Sequence, residues 1–150
     1  MILQKDPRLE TVAYHEYGCY LFYIFFLANK VSNYMFTPGE MDKLYDVFVG
    51  HGWIDEDCYV LNASAIFNYL HVPLRQKMDC TWRPEDPHKY PPDYEPGDGE
   101  FAVTLSRYWN AKKKEWVYHF HGGRQGYDGY GLSRAAREGE VRSKRVFYLI

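Results

Sequence analysis

The sequence predicts an α+β domain in which a buried N-terminal helix carrying a cysteine packs on a C-terminal antiparallel sheet. Two observations lead there: helical periodicity fills the first half, and alternating strand-like runs fill the last third. The chain has 150 residues, which suits one domain spanning 1–150. Hydrophobic residues make up 46% and charged residues 25%, a balance that excludes a disordered chain. Aromatic content is high, with 15 Tyr, 9 Phe and 4 Trp, enough to build a large core and to line a pocket with rings.

The first expected element runs from Cys19 to Ser32. It is apolar nearly all round, so it belongs inside the domain, and its length favours helix over strand. The second helix has a marked start. Thr37 is the N-cap, Pro38 suits the first helical position, Glu40 completes a capping box, and Gly50 and Gly52 stop it. Cys58 to Leu61 reads as a short extended piece, and Asn62 caps a third helix burying Ile66, Phe67 and Leu70. Cys80 falls in an expected strand. Residues Arg83 to Gly99 hold five of the eight prolines and several acids, an unusually long loop that suits either a lid or a surface insertion. Strands follow at Phe101–Trp109 and Glu115–His121, then a glycine-rich corner from Gly122 to Gly131. Ser133 caps a short helical turn ending at Gly139, and Arg145–Ile150 closes the sheet.

Charge and cysteine usage narrow the function. A net charge of −2 offers no basic field for nucleic acid or anionic lipid. The apolar run Tyr20–Ala28 is too short to span a bilayer, and no cleavage site follows it, so a cytoplasmic protein is expected. Three cysteines without a C-x-x-C pair are not a disulfide framework.

Cys19 follows Gly18 at the expected start of the buried helix, where unpaired N–H groups and the helix dipole favour a thiolate. A packed core thiol is the bland alternative. His119 and His121 share one strand face, and Asp128 lies one chain reversal further on, beside one of the two rings. Cysteine, histidine and carboxylate in this arrangement supply a nucleophile, a base and an orienting group. The same histidines with Asp128, and Cys58 or Cys80, could instead hold a metal, but no second motif has ligand spacing. Neither a P-loop nor a serine elbow is present, so no cofactor or metal is expected.

The sequence Gly18-Cys19, then Tyr118-His119-Phe120, then Tyr127-Asp128-Gly129-Tyr130-Gly131 resembles the papain-like cysteine peptidases. The similarity falls among the small bacterial and phage domains related to bacteriocin-leader-processing peptidases. The phrase Gly52 to Val60 also resembles members carried by phages and prophages. The resemblance implies a papain-like fold with Cys19 as nucleophile, His119 as base in preference to His121, and Asp128 as orienter. It implies hydrolysis or acyl transfer at an amide of a peptide, protein or murein stem. Its glutamine upstream of the cysteine, an oxyanion donor, is not matched, leaving Tyr14 or His15 as substitutes and Gln4 as the only glutamine before Cys19. A catalytically degenerate binding module on the same scaffold, directed at a host or virion protein through the Arg83–Gly99 loop, is the alternative.

Overall fold

The computed structural model describes residues 2–80, 82, 88–122, 127–131 and 133–150. In chain order it runs α1 (Val12–Tyr17), α2 (Cys19–Ser32), α3 (Pro38–Gly50), α4 (Ala63–Tyr69), β1 (Leu74–Gln76), β2 (Glu100–Asn110), β3 (Glu115–His121), α5 (Arg134–Glu138) and β4 (Glu140–Leu149). The α+β class is as the sequence indicates, with one curled antiparallel sheet in the order β1-β4-β2-β3.

Helix α2 is the centre of the molecule because its residues bury on every side. Leu21, Phe22, Tyr23, Ile24, Phe25, Leu27 and Ala28 are all buried. Their rings interlock edge to face, with Phe22 and Phe25 at 5.5 Å and 84° and Tyr14 of α1 against Phe22 at 5.2 Å and 79°. Such pairs add to area burial about 0.5–1.5 kcal/mol each. Helices α1 and α4 and strand β3 surround it. Local signals start the next two helices: Thr37 Oγ1 accepts from the Glu40 N–H at 3.2 Å, and Asn62 Oδ1 accepts from the Ala65 N–H at 3.0 Å. Gly52 reverses the chain after α3 at φ +74°.

Alternation along β2 and β3 gives the sheet two different faces. Phe101, Val103, Phe120 and Phe147 join the helical core. The opposite face carries a polar stripe, in which Ser106 is paired with His119 and Thr104 with His121 across the β2–β3 hairpin. A register shift at Leu105/Ser106 lets β4 follow the curl of β2. Strand β4 inserts between β1 and β2, which leaves β3 as an edge. There Phe120 N–H donates to the Cys19 sulfur at 3.5 Å, and Gly122 N–H donates to Tyr127 O at 2.8 Å.

Two expected strands are corrected. Cys80 lies outside any strand, because pairing of its segment with β4 stops at Lys77 N–H to Val146 O, and Tyr90 then bridges Lys144. The Cys58 segment is not simply extended, since Cys58 takes a left-handed φ of +61° while Ile54 and Val60 form a single bridge. Of the long Arg83–Gly99 loop, residues 83–87 lie outside the described residues. From Tyr90 on it is pinned: Tyr90 exchanges two backbone bonds with Lys144, and Tyr94 and Lys77 both bond Glu100. Positions 123–126 of the glycine-rich corner also lie outside the described residues. No helix among the described residues is long and apolar enough to cross a membrane.

Candidate active site

Cys19 is the first residue of α2, and the helix opens with no side-chain cap. Its N–H and that of Tyr20 therefore point out of the first turn without intrahelical acceptors. Gly18 makes the tight α1–α2 junction possible, because a Cβ there would lie 2.6 Å from Tyr14 O. The thiol is half-buried and lines a cleft of about 550 Å³ whose wall includes Tyr17, Tyr20, Tyr59, Phe120 and Arg145. A larger depression of about 770 Å³ lies by Lys5, Arg8 and Tyr130 and does not include Cys19. Only the smaller one adjoins the thiol, so it is the relevant cavity.

His119 projects from β3 and is 3% exposed. Its Nε2 meets Asp128 Oδ1 at 2.6 Å, and its ring stacks on Tyr130 at 4.4 Å and 8°. The Cys19 sulfur sits beside the same strand, accepting from Phe120 N–H at 3.5 Å, and it favours the charged form of the His119 ring. With Nε2 taken by the carboxylate, Nδ1 is the nitrogen left for sulfur. Asp128 is held in turn by four donors. Besides the histidine, Tyr130 N–H reaches Oδ1 at 2.9 Å, and Ser133 N–H and Oγ–H reach Oδ2 at 3.1 and 2.6 Å. Tyr127 O on Gly122 N–H and Gly129 O on Gln4 N–H fold the segment back along the β3 edge, which carries Asp128 to the histidine.

The two histidines differ in electrostatics. Burial opposes charge on His119, but the Asp128 hydrogen bond and the Cys19 thiol outweigh it and raise the ring to about 9. Burial, together with the His119 cation, pushes His121 down to about 4, and its Nε2 bonds Ser106 Oγ at 2.8 Å. Burial also acts against ionised Asp128, yet the His119 and Ser133 hydrogen bonds hold it well below the usual carboxylate range. Adjacent titratable groups driven apart in this way divide acid and base roles. Burial lifts the Cys58 thiol to about 12.

These shifts fix a pH dependence of stability. The His119 proton contributes fully below about pH 6.5, the unfolded value, and its contribution is lost as pH rises through about 9. His121 acts in the opposite sense: its contribution is present above about 6.5 and lost as pH falls through about 4. Urea midpoints measured from pH 4 to 10 should thus show an alkaline limb flattened by His119→Gln and an acid limb flattened by His121→Gln. Both substitutions flattening the same limb would contradict the assignment.

Of the residues expected from the sequence, Cys19, His119 and Asp128 are brought together, and His121 is turned to Ser106. The proposed oxyanion donors are not at the cleft. Tyr14 is fully buried and donates its hydroxyl to Met41 O, because the short α1 turns that face into the core. His15 lies in the field of Asp6 and Asp42, and its Nε2 is buried with no hydrogen-bond partner among the described residues. Gln4 is buried behind the site, with Nε2 donating to Tyr14 O at 3.1 Å. From the sequence Ser133 is expected only as a helix cap. It does cap α5 through Ala136 N–H at 3.1 Å, and the same hydroxyl anchors Asp128. Among the described residues no group of three or more His, Cys, Asp or Glu is placed to hold a metal ion.

Fold and site together define an α+β domain with a cysteine–histidine–aspartate array at the mouth of a cleft. The chain belongs to the family described as "Protein of unknown function, DUF261", which matches residues 1–149. No curated protein and no solved structure matches it.

Proposed function

We propose that the protein is a cysteine-dependent amide hydrolase or acyltransferase of papain-like class, acting on a peptide or a murein stem peptide. The observation that carries this reading is the buried His119–Asp128 pair at 2.6 Å, one residue from the Phe120 N–H that donates to the sulfur of the cleft-lining Cys19. A helix-start cysteine followed in the chain by a strand histidine and a turned-back aspartate is the order of that class.

The chemistry follows from the proton positions. Sulfur, deprotonated by His119, attacks the amide carbon, and the oxyanion is met by the Cys19 and Tyr20 N–H groups. The tetrahedral adduct collapses, the C–N bond breaks, and His119 gives its proton to the departing amine. A thioester remains. Water, or an acceptor amine in the transferase case, loses a proton to the now neutral His119 and attacks the thioester, restoring the thiol. Asp128 holds the ring orientation and balances the imidazolium throughout.

A fluorogenic peptide-amide library tests this directly. Wild type should release amine and Cys19→Ala should not. His119→Ala should lose about 10²–10⁴-fold in turnover, the usual share of general acid–base catalysis, while His121→Ala keeps most of it. Turnover that persists in Cys19→Ala, or that neither histidine affects, would overturn the reading.

A further inference from the structure

Arg145 sits on β4 opposite Val103 and is only 9% exposed, yet it lines the Cys19 cleft. One Nη1–H donates to Ser143 Oγ at 2.9 Å, and the guanidinium lies 5.4 Å from the Phe120 ring centroid. Among the described residues no carboxylate pairs with it. Arg8, Arg134 and Arg142, all far more exposed, each have one. A buried cation without a counter-ion is the costly case. A guanidinium carries five donors in a fixed fork, and most of these are unused here.

The cleft also holds acids, and they lie elsewhere in it. Glu16, Asp55 and Asp57 are exposed on the rim, where salt screens them, and Asp55 Oδ1 already accepts from the N–H groups of Asp57 and Tyr59. The buried cation is screened far less. Phe120 ties it to the chemistry, since its N–H contacts the Cys19 sulfur while its ring faces Arg145.

We infer that Arg145 is the specificity residue of this cleft and binds a carboxylate of the substrate, so that the peptide attacked by Cys19 is anionic near the scissile amide. This rests on the proposed thiol chemistry. The carboxylate could be a chain terminus or an acidic side chain, and the guanidinium fork grips either in the same bidentate way.

The test uses bromoacetyl probes that alkylate Cys19, read by peptide mass mapping. Bromoacetyl-glycine carries a terminal carboxylate and bromoacetyl-glutamic acid α-amide a side-chain one; bromoacetyl-glycinamide and bromoacetyl-glutaminamide are their neutral counterparts. In wild type the matching anionic probe should react at least about tenfold faster than its neutral counterpart, the scale of one charge-assisted hydrogen bond. Which of the two acids shows the gain identifies the source. Arg145→Met should remove the gain of each anionic probe over its neutral counterpart, and should not lower Tm, since an unpaired buried charge gives way to an apolar chain of similar length. Arg145→Lys should keep a reduced gain. His119 attracts anions equally in all three proteins, so the readout is the change between them. An anionic preference equal in wild type and Arg145→Met, with neutral labelling of Cys19 intact, overturns this inference and leaves the thiol site standing. Absence of Cys19 labelling by any probe overturns both. Should Arg145→Met fail to fold, a wild-type ratio near one, or an Arg145→Lys ratio equal to that of wild type, is decisive against it.

Discussion

Iodoacetamide at pH 6 should modify Cys19 first among the three cysteines of the folded protein. The His119 ring, raised to about 9, is a cation at that pH and favours attack by a neighbouring sulfur. Cys58 is the internal control. It is 1% exposed and raised to about 12, so its thiolate fraction at pH 6 is about one in a million. Cys80 is half-buried and reports ordinary thiol access. His119→Ala should cut the Cys19 rate by about tenfold or more, because the partner cation is gone. Labelling of Cys80 with Cys19 untouched would mark Cys19 as a packed thiol and the domain as a binding module.

The second large effect is at Asp128. Asp128→Ala removes the acceptor for His119, Tyr130 N–H and both Ser133 donors at once. Breaking a buried pair in this way costs about 3–5 kcal/mol, which a urea titration will resolve. Asp128→Asn keeps the shape, and a milder loss of stability is expected. It removes the charge that holds the His119 proton, so turnover should fall about 10³–10⁴-fold while the fold survives. An Asn variant with near wild-type turnover would show that Asp128 is only a structural anchor.

Much of the fold is legible in the sequence where a local signal acts alone. The Thr37-Pro38 cap and the Asn62 cap set α3 and α4, and the length of the apolar run set α2. Helix α1 has six residues and β1 three, too few for either to build a periodicity of its own. Strand β4 begins at Glu140, earlier than the apolar pattern from Arg145 suggests, because its first residues are exposed and are held by pairing with β2. The site divides in the same way. A glycine–cysteine pair at a helix start and a histidine on a strand are visible in the chain. The stacking of Tyr130 on His119, the Ser133 hydroxyl on Asp128 and the placing of Gln4 beside Gly129 join segments far apart in sequence, and no local pattern encodes them.

The edge position of β3 has a consequence beyond catalysis. An open strand edge is a template on which another chain can add by backbone pairing. Here the outward N–H groups of Phe120 and Gly122 are occupied by the Cys19 sulfur and by Tyr127 O. The opposite edge is only three residues of β1 long, and beyond it Tyr90 takes up Lys144. The start of helix α2 therefore doubles as a guard against self-association, and any change that lifts it from the sheet uncovers a sticky edge together with the nucleophile.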